Sequence, residues 1–160
     1  MESVKNVASY IAQRYQKEFG ERISEMKLHK LLYFTQRESI IQLGEPIFDA
    51  SFVAWKYGPV IPAVRILYAQ DKLNMLPSKS WEEANKAVLD FVFSHYAPKD
   101  AWSLSTLSHG ELSWKRARKG LSADENGDVE LLLDDIRQDA RRIKWRRYII
   151  DTYNAKQKAQ

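Results

Sequence analysis

The spacing of hydrophobic residues predicts α-helices over most of the chain. From Val4 to Tyr15 apolar residues recur at intervals of three and four, and Gly20 follows, which is the pattern of an amphipathic helix and its end. A second helix is expected from about residue 26 to residue 43. Its apolar side chains point in several directions, as they do in helices that are buried in the middle of a domain.

The segment after this central helix has a different pattern. Residues 52–57 are rich in β-branched and aromatic side chains, which favour strands. Gly58 and Pro59 are expected to end the strand, because proline has no N–H group to donate to a neighbouring strand. The sequence therefore predicts a mainly α fold. We expect a single compact helical domain around the buried helix, with one short extended or β segment at about 52–57.

Three further helices are predicted in the middle of the chain. The first covers residues 60–70. The second begins at Ser80, which fits a capping box together with Glu83. In a capping box the serine and glutamate side chains accept hydrogen bonds from the free backbone N–H groups at the start of a helix. A shorter helix is expected at residues 102–108.

A basic C-terminal helix, predicted over about 129–153, has apolar residues on two sides. Its first part carries one stripe, and Trp145, Ile149 and Tyr153 lie nearly opposite to that stripe. Two interpretations remain open. The helix breaks near Lys144 and its second part packs separately, or one continuous helix offers a second apolar face to a partner helix or protomer.

Composition and charge narrow the class of protein. The chain has 160 residues and no apolar run long enough for a membrane span. It has no cysteine, which excludes a disulfide framework and a thiolate zinc site. With no signal-peptide pattern, we expect a cytoplasmic protein without a membrane partner. From residue 137 onward there are eight Lys/Arg and two Asp/Glu, a local charge of +6. This charge indicates either an acidic partner or a solvated basic tail.

Catalytic chemistry is almost absent from the sequence. There is no phosphate-binding glycine loop, no dinucleotide fingerprint and no zinc-protease motif. The three histidines have no i, i+4 pair that would place two imidazoles on one metal ion. We therefore predict no catalytic, cofactor-binding or metal-binding residues, and no cofactor. Only residues 137–147 are dense in basic side chains, so a nucleic-acid partner is disfavoured.

Two clusters of residues resemble a known family. The first is KLHKLLYFTQ, starting at Lys27, and the second is GEPIF, starting at Gly44, followed by AWKYGPV, starting at Ala54. The tripeptide LSH and then Trp114 follow later. In combination these motifs resemble the Panacea domain of SocA-like antitoxins, a family that includes phage-associated proteins of the GepA type. The resemblance runs from about residue 4 to residue 118.

The resemblance implies a bacterial antitoxin that neutralises a neighbouring toxin by direct protein–protein binding, and not an enzyme. The first alternative is an adaptor that delivers a toxin to a cytosolic protease. Others are a small hydrolase or transferase built around His109, Glu111 and Trp114, or a DNA-binding regulator. Some family members carry an added DNA-binding domain, which we do not expect here because the chain starts at its first helix. The sequence leaves open whether the protein forms homo-oligomers.

Candidate partner-binding residues come from the motif clusters and from the basic helix. Aromatic and arginine side chains dominate binding hot spots. Lys27, His29 and Lys30 are expected to form a polar stripe that is either solvated or in contact with a partner. Trp55 is expected to pack in the core rather than present an exposed edge. The full set of candidates is Lys27, His29, Lys30, Trp55, Tyr57, Gly58, Pro59, His109, Trp114, Arg142 and Arg146.

Overall fold

The computed structural model describes residues 1–160 and contains eight helices and one two-stranded sheet. The helices are α1 (Val4–Phe19), α2 (Glu25–Leu43), α3 (Pro62–Ala69), α4 (Lys79–Ala84), α5 (Lys86–His95), α6 (Ala101–His109), α7 (Leu112–Ala117) and α8 (Leu133–Lys158). The strands are β1 (Val53–Trp55) and β2 (Gly58–Val60). The predicted class, a mainly α single compact domain with a small extended segment, is confirmed.

Helix α2 is the centre of the fold. It begins after Ser24, whose side chain accepts a hydrogen bond from the backbone N–H of Lys27, and it ends at Gly44 in the left-handed conformation. Helices α1, α5, α6 and α8 and strand β2 pack around it. Fifteen of its nineteen residues are buried, including charged ones. The prediction of a central buried helix is therefore confirmed.

The extended segment forms an antiparallel hairpin. Strand β1 pairs with β2 so that Val53 faces Val60 and Ala54 faces Pro59. The prediction that Gly58 and Pro59 end the strand is wrong. Pro59 lies on β2, which pairs with β1 on one side only and is therefore an edge strand, where proline is tolerated. Gly58 has a positive φ of 117°, and a Cβ there would lie 2.5 Å from Lys30 Cε.

The helices between the hairpin and the C-terminal region partly differ from the prediction. The side chain of Ser78, rather than that of Ser80, caps α4 by accepting the N–H of Trp81. Asn85 then separates α4 from α5, so the predicted single helix is two. Short helix α7 was not predicted, because its six residues are too few to show a hydrophobic period.

The C-terminal helix is present but begins at Leu133 rather than at residue 129. The residues before it are extended alongside β1. The N–H of Ala54 donates to the carbonyl of Val129 at 3.0 Å, and the N–H of Leu131 donates to that of Phe52 at 2.8 Å. From Leu133 the helix continues without a break, so it is one continuous helix with two faces. None of the eight helices has the length and apolar composition that crossing a bilayer requires.

Candidate partner-binding surfaces

A buried polar layer joins α2, α7 and α8. The carboxylate of Asp139 accepts hydrogen bonds from the backbone N–H groups of Leu112, at 2.7 Å, and Ser113, at 2.9 Å. It thereby caps α7 from a neighbouring helix, where a negative charge also meets the positive end of the helix dipole. Tyr33 OH lies 3.3 Å from Asp139 and 3.2 Å from Glu111. This layer fixes the position of α8 against the core.

The same layer contains a buried ion pair. The guanidinium of Arg37 binds the carboxylate of Glu111 and donates to the hydroxyl of Tyr96 at 2.5 Å. Burial raises the pKa of Glu111, and the Arg37 charge opposes that rise. Arg142 approaches this layer from the surface, 3.7 Å from Glu111 and 3.5 Å from Asp139. Sequence reasoning missed Arg37 and Asp139, since nothing marks a charged residue as buried until its partners are known.

A basic groove of about 430 Å³ lies over this layer, between α2, α6 and α8. Its charged lining is dominated by four arginines: Arg37, Arg142, Arg146 and Arg147. Arg147 is held by Glu38, which accepts one hydrogen bond on each carboxylate oxygen, at 2.9 and 3.0 Å. The predicted candidates Arg142 and Arg146 therefore share one groove, and Arg146 is exposed in it.

Beyond the groove, α8 presents an apolar face to solvent. We call this the α8 face; it consists of Trp145, Tyr148, Ile149 and Tyr153, which are 48–63% exposed. The rings of Trp145 and Tyr148 are stacked with centroids 5.5 Å apart. Tyr148 and Ile149 come three and four residues after Trp145, and Tyr153 comes four residues after Ile149, so all of them lie on one side of the helix. Of the two interpretations of this segment, the structure has the continuous helix with a second apolar face.

The expected polar stripe on α2 is not a surface. Lys27, His29 and Lys30 are all buried, so the prediction that they are solvated or form an exposed stripe is wrong. The ammonium group of Lys27 donates to the hydroxyl of Tyr15 and to the carbonyl of Ala97, both at 3.1 Å. Polar side chains on a helix that is packed on all sides must be buried with it, whatever face they occupy.

His29 and Lys30 instead line a cavity of about 220 Å³ between α2 and the hairpin. Lys30 Nζ donates to the carbonyl of Pro59 at 3.1 Å, and His29 Nδ1 accepts the N–H of Ile61 at 3.2 Å. Burial lowers the pKa of Lys30 to about 7 and that of His29 to about 3. We call this the α2–hairpin cavity.

The hairpin candidates divide between the interior and the surface. Gly58 and Pro59 are buried, and Trp55 is half-buried on the wall of the α2–hairpin cavity. Tyr57 is exposed and packs edge-on against exposed Trp102, with ring centroids 5.1 Å apart. An exposed aromatic pair, with one ring from the hairpin tip and one from α6, therefore lies next to this cavity.

His109 and Trp114 form a stacked pair with ring centroids 4.1 Å apart. Trp114 Nε1 donates to the carbonyl of Trp55 at 2.9 Å, which ties α7 to the hairpin. No hydrogen bond joins His109 to Glu111, whose carboxylate is held by Arg37. The structure therefore does not assemble His109, Glu111 and Trp114 into one site.

Comparisons with known proteins agree with the motifs. The family described as "Antitoxin SocA-like, Panacea domain" matches residues 28–115. A relative named "Antitoxin SocA", from Caulobacter vibrioides (strain NA1000 / CB15N), is 45% identical over 42 residues, which cover 26% of this chain and 22% of the relative. No solved structure matches. Because the family match covers more than half of the chain, the chain belongs to the Panacea domain family of SocA-like antitoxins.

Proposed function

We propose that this protein is an antitoxin that neutralises a neighbouring toxin by direct binding, without catalysing a reaction. Membership of a family of SocA-like antitoxins supports the antitoxin role. The observation that carries the binding mechanism is the α8 face. A tryptophan, two tyrosines and an isoleucine stand exposed on one side of a helix whose N-terminal part is packed against the rest of the protein.

The α8 face contributes little to the fold as it stands. Arg147 is the last side chain of α8 that hydrogen-bonds another element, and nearly every residue after it is exposed. Contiguous exposed apolar patches of this kind mark interaction sites. Tryptophan and tyrosine are also enriched among the residues that dominate binding energy. The face therefore has the composition of a binding surface.

The charges around the α8 face favour an acidic partner over a second copy of the chain. Arg141 and Arg146 are exposed near its beginning, and Lys156 lies beyond its end, whereas Asp151 is the only acidic residue after Ala140. Two copies of α8 would bring basic ends together in either a parallel or an antiparallel pairing, and like charges disfavour such contacts. A toxin with an acidic rim around an apolar patch matches this surface.

The test is the double variant Trp145→Asp/Ile149→Asp, in cells that express the product of the adjacent gene. We expect protection of growth and co-purification to be lost, since each hot-spot residue contributes about tenfold or more to affinity. Ile66→Asp is the matched control, because Ile66 is 57% exposed on α3 and outside the face. Full protection by the double variant, with wild-type thermal unfolding, would contradict the mechanism.

Toxin abundance in the same cells separates binding from the adaptor alternative. Neutralisation by binding leaves toxin present in the complex, whereas delivery to a protease removes it. The charge argument has its own measurement. Arg141→Glu/Arg146→Glu should slow association with the toxin, and added salt should slow the wild type in the same way. If neither the double variant nor added salt changes the association rate, these arginines do not take part in the interface.

A further inference from the structure

We propose that the α2–hairpin cavity is a carboxylate-binding site. In it, the Nε2–H group of His29 and the ammonium group of Lys30 donate to the two oxygens of one carboxylate. The observations that carry this inference are two buried donors with unused hydrogen bonds, on neighbouring residues that both line a cavity of about 220 Å³.

The hydrogen bonds of His29 determine which of its nitrogens is the donor. Nδ1 accepts the backbone N–H of Ile61 at 3.2 Å, so it carries no proton. Burial, together with the charges of Lys30 and Arg65, lowers the pKa of His29 to about 3. The neutral ring therefore carries its single proton on Nε2. Nε2 is buried and has no hydrogen-bond partner in the protein, although buried donors are normally paired.

Lys30 is the second donor. It is 1% exposed, and its only hydrogen bond runs to the carbonyl of Pro59 at 3.1 Å, so two of its three N–H groups are unused. Burial lowers its pKa to about 7, and the charge of Glu25 opposes this shift only in part. A carboxylate beside it would stabilise the charged form. Lys30 is therefore a binding group that gains its counter-charge from a ligand.

The remaining walls match an acidic group on a hydrocarbon stem. Met26, Trp55 and Val60 supply apolar surface. Glu25 neutralises Arg65 at the rim, and Lys56 is a second, half-buried cation of the lining. One unpaired buried cation suits a singly charged carboxylate better than a doubly charged phosphate. The carboxylate has two sources: a small organic acid, or an acidic side chain of the bound toxin. The second source rests on the proposed function.

The first experiment uses sodium acetate as the probe and the whole protein. The side-chain ¹⁵N signal of His29 Nε2 and the ¹³Cε signal of Lys30 are followed by NMR, with sodium chloride at matched ionic strength as reference. We expect both signals to shift together and to saturate with acetate, while chloride leaves them unchanged. Shifts that never saturate, or equal or tighter binding of inorganic phosphate, would overturn the proposal.

Two variants and a matched control assign the binding groups. Lys30→Met removes the charge, and His29→Asn removes the Nε2 donor while retaining an acceptor for Ile61. Each should weaken acetate binding about tenfold or more, the size expected for a hydrogen bond to a charged group. Lys27→Met lies one turn earlier on α2 and outside the cavity, and it should bind like the wild type. Equal loss in all three variants would overturn the assignment.

The complex with the toxin separates the two sources of the carboxylate. If a toxin side chain occupies the cavity, the Nε2 signal of His29 shifts in the complex and acetate no longer changes it. If the ligand is a small acid, acetate still shifts the signal in the complex. Because the acetate titration involves no toxin, its failure is independent of any failure of the proposed function.

Discussion

The two halves of α8 show opposite patterns, because the first half buries aspartates and the second half exposes apolar side chains. The buried residues of the first half are Asp135, Ile136, Asp139 and Ala140, so half of them are aspartates. The second half exposes a tryptophan, two tyrosines and two isoleucines. Burial along this helix is thus decided by the neighbouring elements and not by residue type. The first half meets partners for its charges in α2 and α7, whereas the apolar residues of the second half have no partner within the chain.

The largest effect on stability should come from the first half. Asp139→Ala leaves the N–H groups of Leu112 and Ser113 without an acceptor and removes a buried charge from its layer. We expect the free energy of unfolding to fall by about 3–5 kcal/mol, measured by urea denaturation. Asp151→Ala is the matched control on the same helix, and should behave as an ordinary surface substitution. Similar losses in both variants would contradict the comparison.

A smaller effect is expected where the packed half ends. Arg147→Ala removes both hydrogen bonds to Glu38, whose carboxylate is buried. We expect a loss of about 2 kcal/mol in the free energy of unfolding, measured in the same way. Arg146→Ala, the neighbouring exposed arginine, should cost much less. If the two variants are equally stable, Arg147 does not anchor α8 to α2.

Lys30, a buried charge without an ion-pair partner, is expected to make the free energy of unfolding depend on pH. The pKa of Lys30 is about 7 in the folded protein and 10.5 in the unfolded chain, so between these pH values the unfolded state binds more protons. Lys30 therefore makes the free energy of unfolding rise with pH across this window, by about 1.4 kcal/mol per unit. The titratable or charged groups around it are Glu25, His29, Lys56, Tyr57, Arg65 and His109.

The measurement is urea denaturation from pH 7 to pH 10 in the wild type and two variants. The free energy of unfolding should rise less steeply with pH in Lys30→Met, because the contribution of Lys30 is absent. In Lys27→Met it should rise as steeply as in the wild type. An identical slope in Lys30→Met and the wild type would mean that Lys30 is not desolvated as the structure shows.

The smallest effect on stability is expected from removing the part of α8 that follows Arg147. A chain that ends after Arg147 loses the α8 face beyond Trp145 but no hydrogen bond to another element. We expect its thermal unfolding midpoint to stay close to that of the full chain, while binding to the toxin is lost. A large fall in the midpoint would show that these residues stabilise the domain itself.

Much of the fold was predictable because local patterns encode it. The period of the hydrophobic residues and the glycine that follows them located α1. The apolar side chains that point in several directions from α2 indicated that it is the central helix. The partner-binding candidates were harder. Arg142 and Arg146 do share a groove, but Lys27, His29 and Lys30 were predicted as a stripe and are buried. A helical wheel shows which residues share a face and not what covers that face.

The sequence by itself determined the helical class, the central helix and the family, since these depend on residue spacing and short motifs. Only the tertiary structure decided which charges are buried. Asp139 meets the N–H group of Leu112, 27 residues away, and the hydroxyl of Tyr33, 106 residues away. The cost of burying a charge depends on the groups that surround it. Those groups come from distant parts of the chain, so no local pattern records them.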